Sequence, residues 1–169
     1  CALPISSGDL IFNSTINGAF SLVLNSTAST QLNGLVGNTT ALTSITTNAG
    51  GTTAINGGGI TTTGNQTFND AVTLGADAIL NAGTGDIFFG QTVDGPGTLV
   101  ANSTGTTTFS GAVGGTTALA GISTNAGGTT AINGGLVNTQ PAGNQTFGDA
   151  VTLGANTIFQ AGSGNVSFA

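Results

Sequence analysis

The phrase NAGGTTAINGG stands at Asn48–Gly58 and again, unchanged, at Asn125–Gly135, a shift of 77 in the numbering. A polar phrase kept letter for letter marks a repeat architecture, and such self-similarity is read before secondary structure. At the same shift GDLIFNSTINGAFSLVLNST (Gly8–Thr27) lies on GDIFFGQTVDGPGTLVANST (Gly85–Thr104). VGNTTALTSITTNAGGTTAINGG then lies on VGGTTALAGISTNAGGTTAINGG. Insertion of Pro141 and Ala142 moves the shift to 79, at which GNQTFNDAVTLGA matches GNQTFGDAVTLGA. Residues 5–81 form one copy, 82–160 a second and 161–169 the start of a third, within a single segment spanning 1–169.

The unit divides further at short apolar-alternating stretches that end in glycine: QLNG at Gly34, AING at Gly57, VTLG at Gly75, IFFG at Gly90 and TFSG at Gly111. The successive intervals, 23, 18, 15 and 21 in sequence numbering, suit the rung of a parallel β-helix better than leucine-rich or helical repeats. Val, Ile, Phe and Thr favour strands. The period-2 pairs Leu10/Phe12, Leu22/Leu24, Val72/Leu74, Ile87/Phe89 and Val166/Phe168 turn one face inward. Asn17-Gly18, Asn33-Gly34, Asn56-Gly57, Asp94-Gly95 and Asn133-Gly134 supply turns. Asn-Gly is also a strong hairpin signal, but rungs that recur with their turns in place favour a parallel stack. Glycine and β-branched residues in every window disfavour helix.

The expected fold is therefore all-β, a parallel β-helix with about four rungs per repeat and roughly nine rungs in total, about 40 Å long at a rung spacing of about 4.8 Å. Ile55 and Ile132 are expected four rungs apart on one inner column, with Asn48 and Asn125 at a shared corner. Their amides would bond neighbouring backbone. The stack is also expected to end mid-repeat at Ala169 without a cap, leaving an open edge that recruits further strands.

Composition excludes whole classes of function. The chain has no Lys, Arg, His, Glu, Met, Trp or Tyr, and its charged residues are 4% of the total, against about a quarter in an ordinary domain. Nothing can neutralise a phosphate backbone or dock to anionic lipid. No apolar run approaches the roughly 20 residues of a transmembrane helix, and no basic n-region with an apolar h-region marks a signal peptide. One cysteine rules out a disulfide framework. Cys1 reads either as the acylated first residue of a lipoprotein or as a processing boundary. The 38% hydrophobic content, regularly spaced, separates the chain from a disordered linker.

The phrases GDIFFGQTVDGPGTLVANSTGTTTFSGAVGG, NAGGTTAINGG and GNQTFNDAVTLGA resemble the repeat regions of filamentous-haemagglutinin-like bacterial exoproteins. The resemblance covers almost the whole chain. It implies a right-handed parallel β-helix shaft, secretion to the cell surface or beyond through an outer-membrane two-partner transporter, and a role in adhesion, biofilm matrix or filament formation. Expected partners are further repeats or copies of the same chain, end to end, the transporter, and surface glycans.

Several residues are candidate sites. Asp70 and Asp149, at the same repeat position, invite calcium, but calcium takes six to eight oxygens and one carboxylate per repeat does not converge. Turn capping is the expectation, with no metal and no cofactor. Asp9 and Asp86 precede equivalent strands, while Asp77 and Asp94 are replaced by Asn156 and Asn17 in the other copy, which again favours turns. Without His or Lys no base serves a nucleophile, and scattered carboxylates do not make a glycosidase pair, so no catalytic site is expected. The threonine groups Thr39-Thr40, Thr52-Thr53, Thr61-Thr62-Thr63, Thr106-Thr107-Thr108 and Thr129-Thr130 raise an ice-binding or carbohydrate-binding module as the alternative. Unequal rungs are expected to spoil the threonine register. Asn-X-Ser/Thr sequons at Asn13, Asn25, Asn38, Asn65, Asn102, Asn144 and Asn165 are candidate glycosylation points.

Overall fold

Short runs in which Leu, Ile, Val or Phe alternate with small polar residues become twenty strands, β1 to β20, over residues 6–169, the part of the chain that the computed structural model describes. Cys1 lies outside those residues. The strands stack in parallel as a β-solenoid of about eight turns, with no helix among the described residues. Three faces enclose one core. The first carries β1 (Leu10–Phe12), β3 (Ser29–Leu32), β5 (Thr52–Ile55), β8 (Ala71–Leu74) and β11 (Val93–Asp94). It continues through a bridge at Val113 to β16 (Leu136–Asn138) and β19 (Ile158–Gln160). The second carries β6 (Gly59–Thr61), β9 (Ala78–Gly83), β12 (Thr98–Ser103), β14 (Gly121–Thr124), β17 (Gln145–Phe147) and β20 (Val166–Phe168). The third carries β2 (Ser21–Leu24), β4 (Ser44–Thr47), β7 (Gln66–Phe68), β10 (Ile87–Phe89), β13 (Thr106–Phe109), β15 (Thr129–Ile132) and β18 (Ala150–Leu153).

Leu10, Thr30, Thr53, Val72 and Val93 are stacked partners on the first face, and the spacing between successive members is unequal, yet the strands stay in register. The corners take up the difference. None of the Asn-Gly pairs makes a hairpin: Asn33-Gly34 and Asn56-Gly57 each end a strand whose pairings are parallel.

The repeat and the turn are out of step. Between β5 and β15, which carry the two copies of TTAI, the chain visits β6, β7, β8, β9, β10, β11, β12, β13, the Val113 bridge, β14 and then β15. That is eleven steps around a three-sided coil, or three and two-thirds turns rather than a whole four. Identical sequence therefore lands on successive faces. LIF of β1 is on the first, its copy IFF of β10 on the third and VSF of β20 on the second. Ile55 is stacked between Leu32 and Leu74, whereas Ile132 is stacked between Phe109 and Leu153, so the two do not share a column. Nor do Asn48 and Asn125 share a corner, for Asn48 follows β4 on the third face and Asn125 follows β14 on the second. The glycine markers explain the discrepancy. Gly75 ends a strand of the first face and Gly90 one of the third, so the short interval between them makes two-thirds of a turn, not a whole rung.

Side chains at every second position fill the interior. Phe68, Phe89 and Phe109 stack as a column on the third face, with ring centroids 5.4 and 5.1 Å apart. Phe147 and Phe168, the next copies of Phe68 and Phe89, stack at 5.3 Å on the second face, with Phe159 edge-on to both. Offset stacking adds about 0.5–1.5 kcal/mol to the area buried. Val166 and Phe168, also expected to face inward, are 38% and 52% exposed because β20 is the edge strand of its sheet.

Adjacent phenylalanines test the inside-outside assignment. Phe89 is fully buried and Phe88 half-buried on the outer surface. Phe89→Ala should destabilise by about 3–5 kcal/mol, and Phe88→Ala by about 1 kcal/mol or less. Similar losses in urea titrations of the two variants would refute this orientation.

Candidate functional site

The repeated phrase sits at a corner, and most of its residues have a structural partner one rung away. Asn48 Oδ1 accepts the Ser26 N–H at 2.7 Å and its Nδ2 donates to the Ala49 carbonyl at 2.8 Å. In the second copy Asn125 holds Ser103 N–H and the Ala126 carbonyl at 2.7 and 2.9 Å. The amide thus satisfies a backbone donor that the bend leaves unpaired. Gly50 and Gly127 adopt φ of 104° and 103°, where an L side chain is strained. A Cβ on Gly51 would collide with the Ala28 carbonyl oxygen, and one on Gly128 with that of Gly105. The two glycines therefore answer different demands, one of conformation and one of space.

The threonines alternate. Thr52 and Thr129 face out, while Thr53 and Thr130 are fully buried. Thr53 Oγ1 and Thr47 Oγ1 each donate to Asp70 Oδ1 at 2.8 Å. Thr130 and Thr124 donate to Asp149 Oδ1 at 2.7 and 3.0 Å. The two carboxylates are 3% and 6% exposed. A buried carboxylate is costly unless hydrogen-bonded, and hydrogen bonds to a charged acceptor are the stronger kind. Each aspartate closes a corner by tying the end of one strand and the start of the next to the rung above. Asn56 Nδ2 then donates to Asn33 Oδ1 at 2.7 Å, and Asn33 Nδ2 to Asn13 Oδ1 at 2.8 Å, a ladder along the outside of the rod.

The remaining carboxylates cap backbone. Asp9, Asp77 and Asp86 accept the N–H groups of Ser29, Thr98 and Thr106 at 3.1, 2.8 and 2.7 Å. Asp94 accepts those of Thr116 and Thr117, and Asn17 does the same for Thr39 and Thr40, which is why Asn and Asp interchange there. Asp70 and Asp149 depart from the expected turn cap, since their partners are side-chain hydroxyls. They also lie on different faces, before β8 and β18. Among the described residues no three carboxylate or thiol groups come together, and no helix is long and apolar enough to cross a membrane.

Sequence reasoning missed Gln66 and Gln145. Both are fully buried. Gln66 Nε2 donates to the carbonyls of Ile60 and Asn81 at 3.2 and 2.9 Å, and Gln145 Nε2 to those of Val137 and Gln160 at 3.1 and 2.9 Å. The sole signal is their repetition within GNQTF, which says nothing of orientation. The threonine register is better than expected. Outward positions on the third face run Val23, Thr46, Thr67, Phe88, Thr108, Ala131, Thr152 in one column, despite unequal rungs. Of the sequon asparagines, Asn13, Asn65, Asn102 and Asn144 use their side chains between rungs, while Asn38 lies exposed on a bend.

Replacing Asp70 separates a structural tie from a dispensable charge. Asp70→Ala leaves two buried hydroxyls without an acceptor, at about 1–3 kcal/mol each. Asp70→Asn keeps a carbonyl acceptor and should cost only about 1 kcal/mol. Equal stability of Asp70→Ala and the parent in denaturant melts would remove the proposed tie. Comparison with protein-family models, with curated proteins and with solved structures finds no match to the chain.

Proposed function

We propose that the chain is a rigid shaft segment of a secreted, fibrous bacterial exoprotein, exposed on the cell surface or in the extracellular matrix, and that it performs no catalysis. The observation that carries this reading is the use made of NAGGTTAINGG. A phrase kept unchanged for ligand binding would aim its polar groups outward. Here the Asn48 amide, the Thr53 hydroxyl and Gly51 are engaged by neighbouring rungs, so the repetition serves the stack itself. The resemblance of the repeat phrases adds export through an outer-membrane partner transporter and end-to-end continuation with further repeats or copies of the chain.

Two measurements bear on the shaft. Trypsin has no site, since Lys and Arg are absent, so thermolysin is the informative protease. Most of its apolar targets are buried in the core, and the folded chain should survive about as long as its global unfolding allows. Electron microscopy and fibre diffraction of native material should show continuous rods with an axial spacing of about 4.8 Å. Rapid digestion, or isolated globular particles in the native material, would defeat the proposal.

One observation favours a second reading, an ice-binding face, namely the in-register outward column on the third face. Its hydroxyls are interrupted by Phe88 and Ala131. A thermal-hysteresis assay decides: the shaft reading expects none, and a freezing gap abolished by Thr67→Val and Thr108→Val would replace it.

A further inference from the structure

Asparagine is a thermolabile residue, and it is most reactive before glycine, whose nitrogen, with no Cβ beside it, can attack the side-chain amide. The attack needs a glycine N–H that is not engaged in a hydrogen bond and an amide that can turn towards it. The chain carries AINGG twice, so Asn56-Gly57 and Asn133-Gly134 have the same near neighbours in sequence and the same intrinsic reactivity. Both asparagines are exposed, directly after β5 and β15. Their hydrogen bonds, however, differ.

In the first copy both reacting groups are held. The Gly57 N–H donates to the Leu32 carbonyl at 2.9 Å, and Asn56 Nδ2 donates to Asn33 Oδ1 at 2.7 Å. In the second copy the Phe109 carbonyl, the counterpart of Leu32 in register, accepts the Asn133 N–H at 2.9 Å, and the Gly134 N–H donates to no described residue. The amide ladder of Asn13, Asn33 and Asn56 has Gly90, Ser110 and Asn133 in its place, and the Asn133 side chain has no hydrogen-bond partner among the described residues. The other two Asn-Gly pairs each keep a tie. Asn17 Oδ1 accepts two N–H groups while the Gly18 N–H donates to the Thr40 carbonyl at 3.2 Å, and both ends of the Asn33 amide are engaged in the ladder.

We propose that Asn133-Gly134 is a site of spontaneous covalent modification, at which water converts the asparagine to aspartate and isoaspartate while the identical pair Asn56-Gly57 is spared. The Gly134 nitrogen gives its proton to solvent base and bonds to Asn133 Cγ. The Cγ–Nδ2 bond breaks and ammonia leaves, taking a proton back. Water then opens the resulting ring imide at either carbonyl, its oxygen bonding to carbon and a proton returning to nitrogen. One water is consumed, one ammonia is released, and nothing is oxidised or reduced. Either product adds a negative charge, and isoaspartate also inserts a methylene into the main chain between β15 and β16. The proposal is independent of the shaft reading.

The test incubates the whole folded chain in mildly alkaline buffer, then unfolds it, digests it with thermolysin and maps it by mass spectrometry. The different sequences after AINGG separate the two sites. Isoaspartate is counted by enzymatic methylation. Asn133 should convert about tenfold or more faster than Asn56, which must wait for a local opening that breaks two hydrogen bonds. In urea the two sites should convert at equal rates. Ser110→Asn restores the residue of the first copy and should slow Asn133, whereas Asn33→Ser removes the ladder partner of Asn56 and should speed its conversion. Equal rates at the two sites in the folded chain, faster conversion at Asn56, or rates indifferent to both variants would overturn the proposal.

Discussion

Residues within this rod have counterparts about 4.8 Å above and below them, and that closeness governs the composition. Like charges stacked at such a distance repel, and the chain answers by having almost none. Its six carboxylates are spread among separate corners and turned to N–H or hydroxyl donors of adjoining rungs. Neutral side chains, in contrast, gain from being stacked. The Asn13, Asn33 and Asn56 amides pass a hydrogen bond from rung to rung, and Phe68, Phe89 and Phe109 lay ring on ring. Such ladders of amides and aromatics belong to the stacking of parallel strands in general.

Much of this was legible from sequence because stacking leaves local marks. Alternation in VTLG or IFFG reports an inward face, and Asn-Gly pairs report bends. What could not be read was the phase. Strands differ little from face to face, so nothing in IFFG says that Gly90 closes the third face while Gly75 closes the first. Only the hydrogen-bonded register supplies the missing third of a turn. The role of Asp70 was hidden for the same reason. Its partners, Thr47 and Thr53, are separated from it by 23 and 17 in sequence, distances that mean contact only once the length of a turn is known.

Departures from repetition were visible as letters but not as shape. Pro141-Ala142 reads as an insertion, and Gly121 stands where the other copy has Ser44. The shape shows in Ala142, held at φ 75° just before β17, which pairs with β14 on the second face. Where a structure is otherwise uniform, the irregular spot carries most information.

The offset between repeat and turn guards folding fidelity. Chains built of near-identical copies risk mistaking one copy for another, and a strand that pairs with the wrong copy traps the molecule. In this coil the copies are never neighbours. TTAI of β5 adjoins STQL and AVTL, and its twin in β15 adjoins TTTF and AVTL. A slip by one copy would have to carry a strand three and two-thirds turns along the axis and one face around, so no small register error puts like against like. The same arithmetic makes the unit easy to multiply. Because the three sides accept the same sequence, inserting another copy rotates the downstream rungs by a third of a revolution and leaves every interface intact.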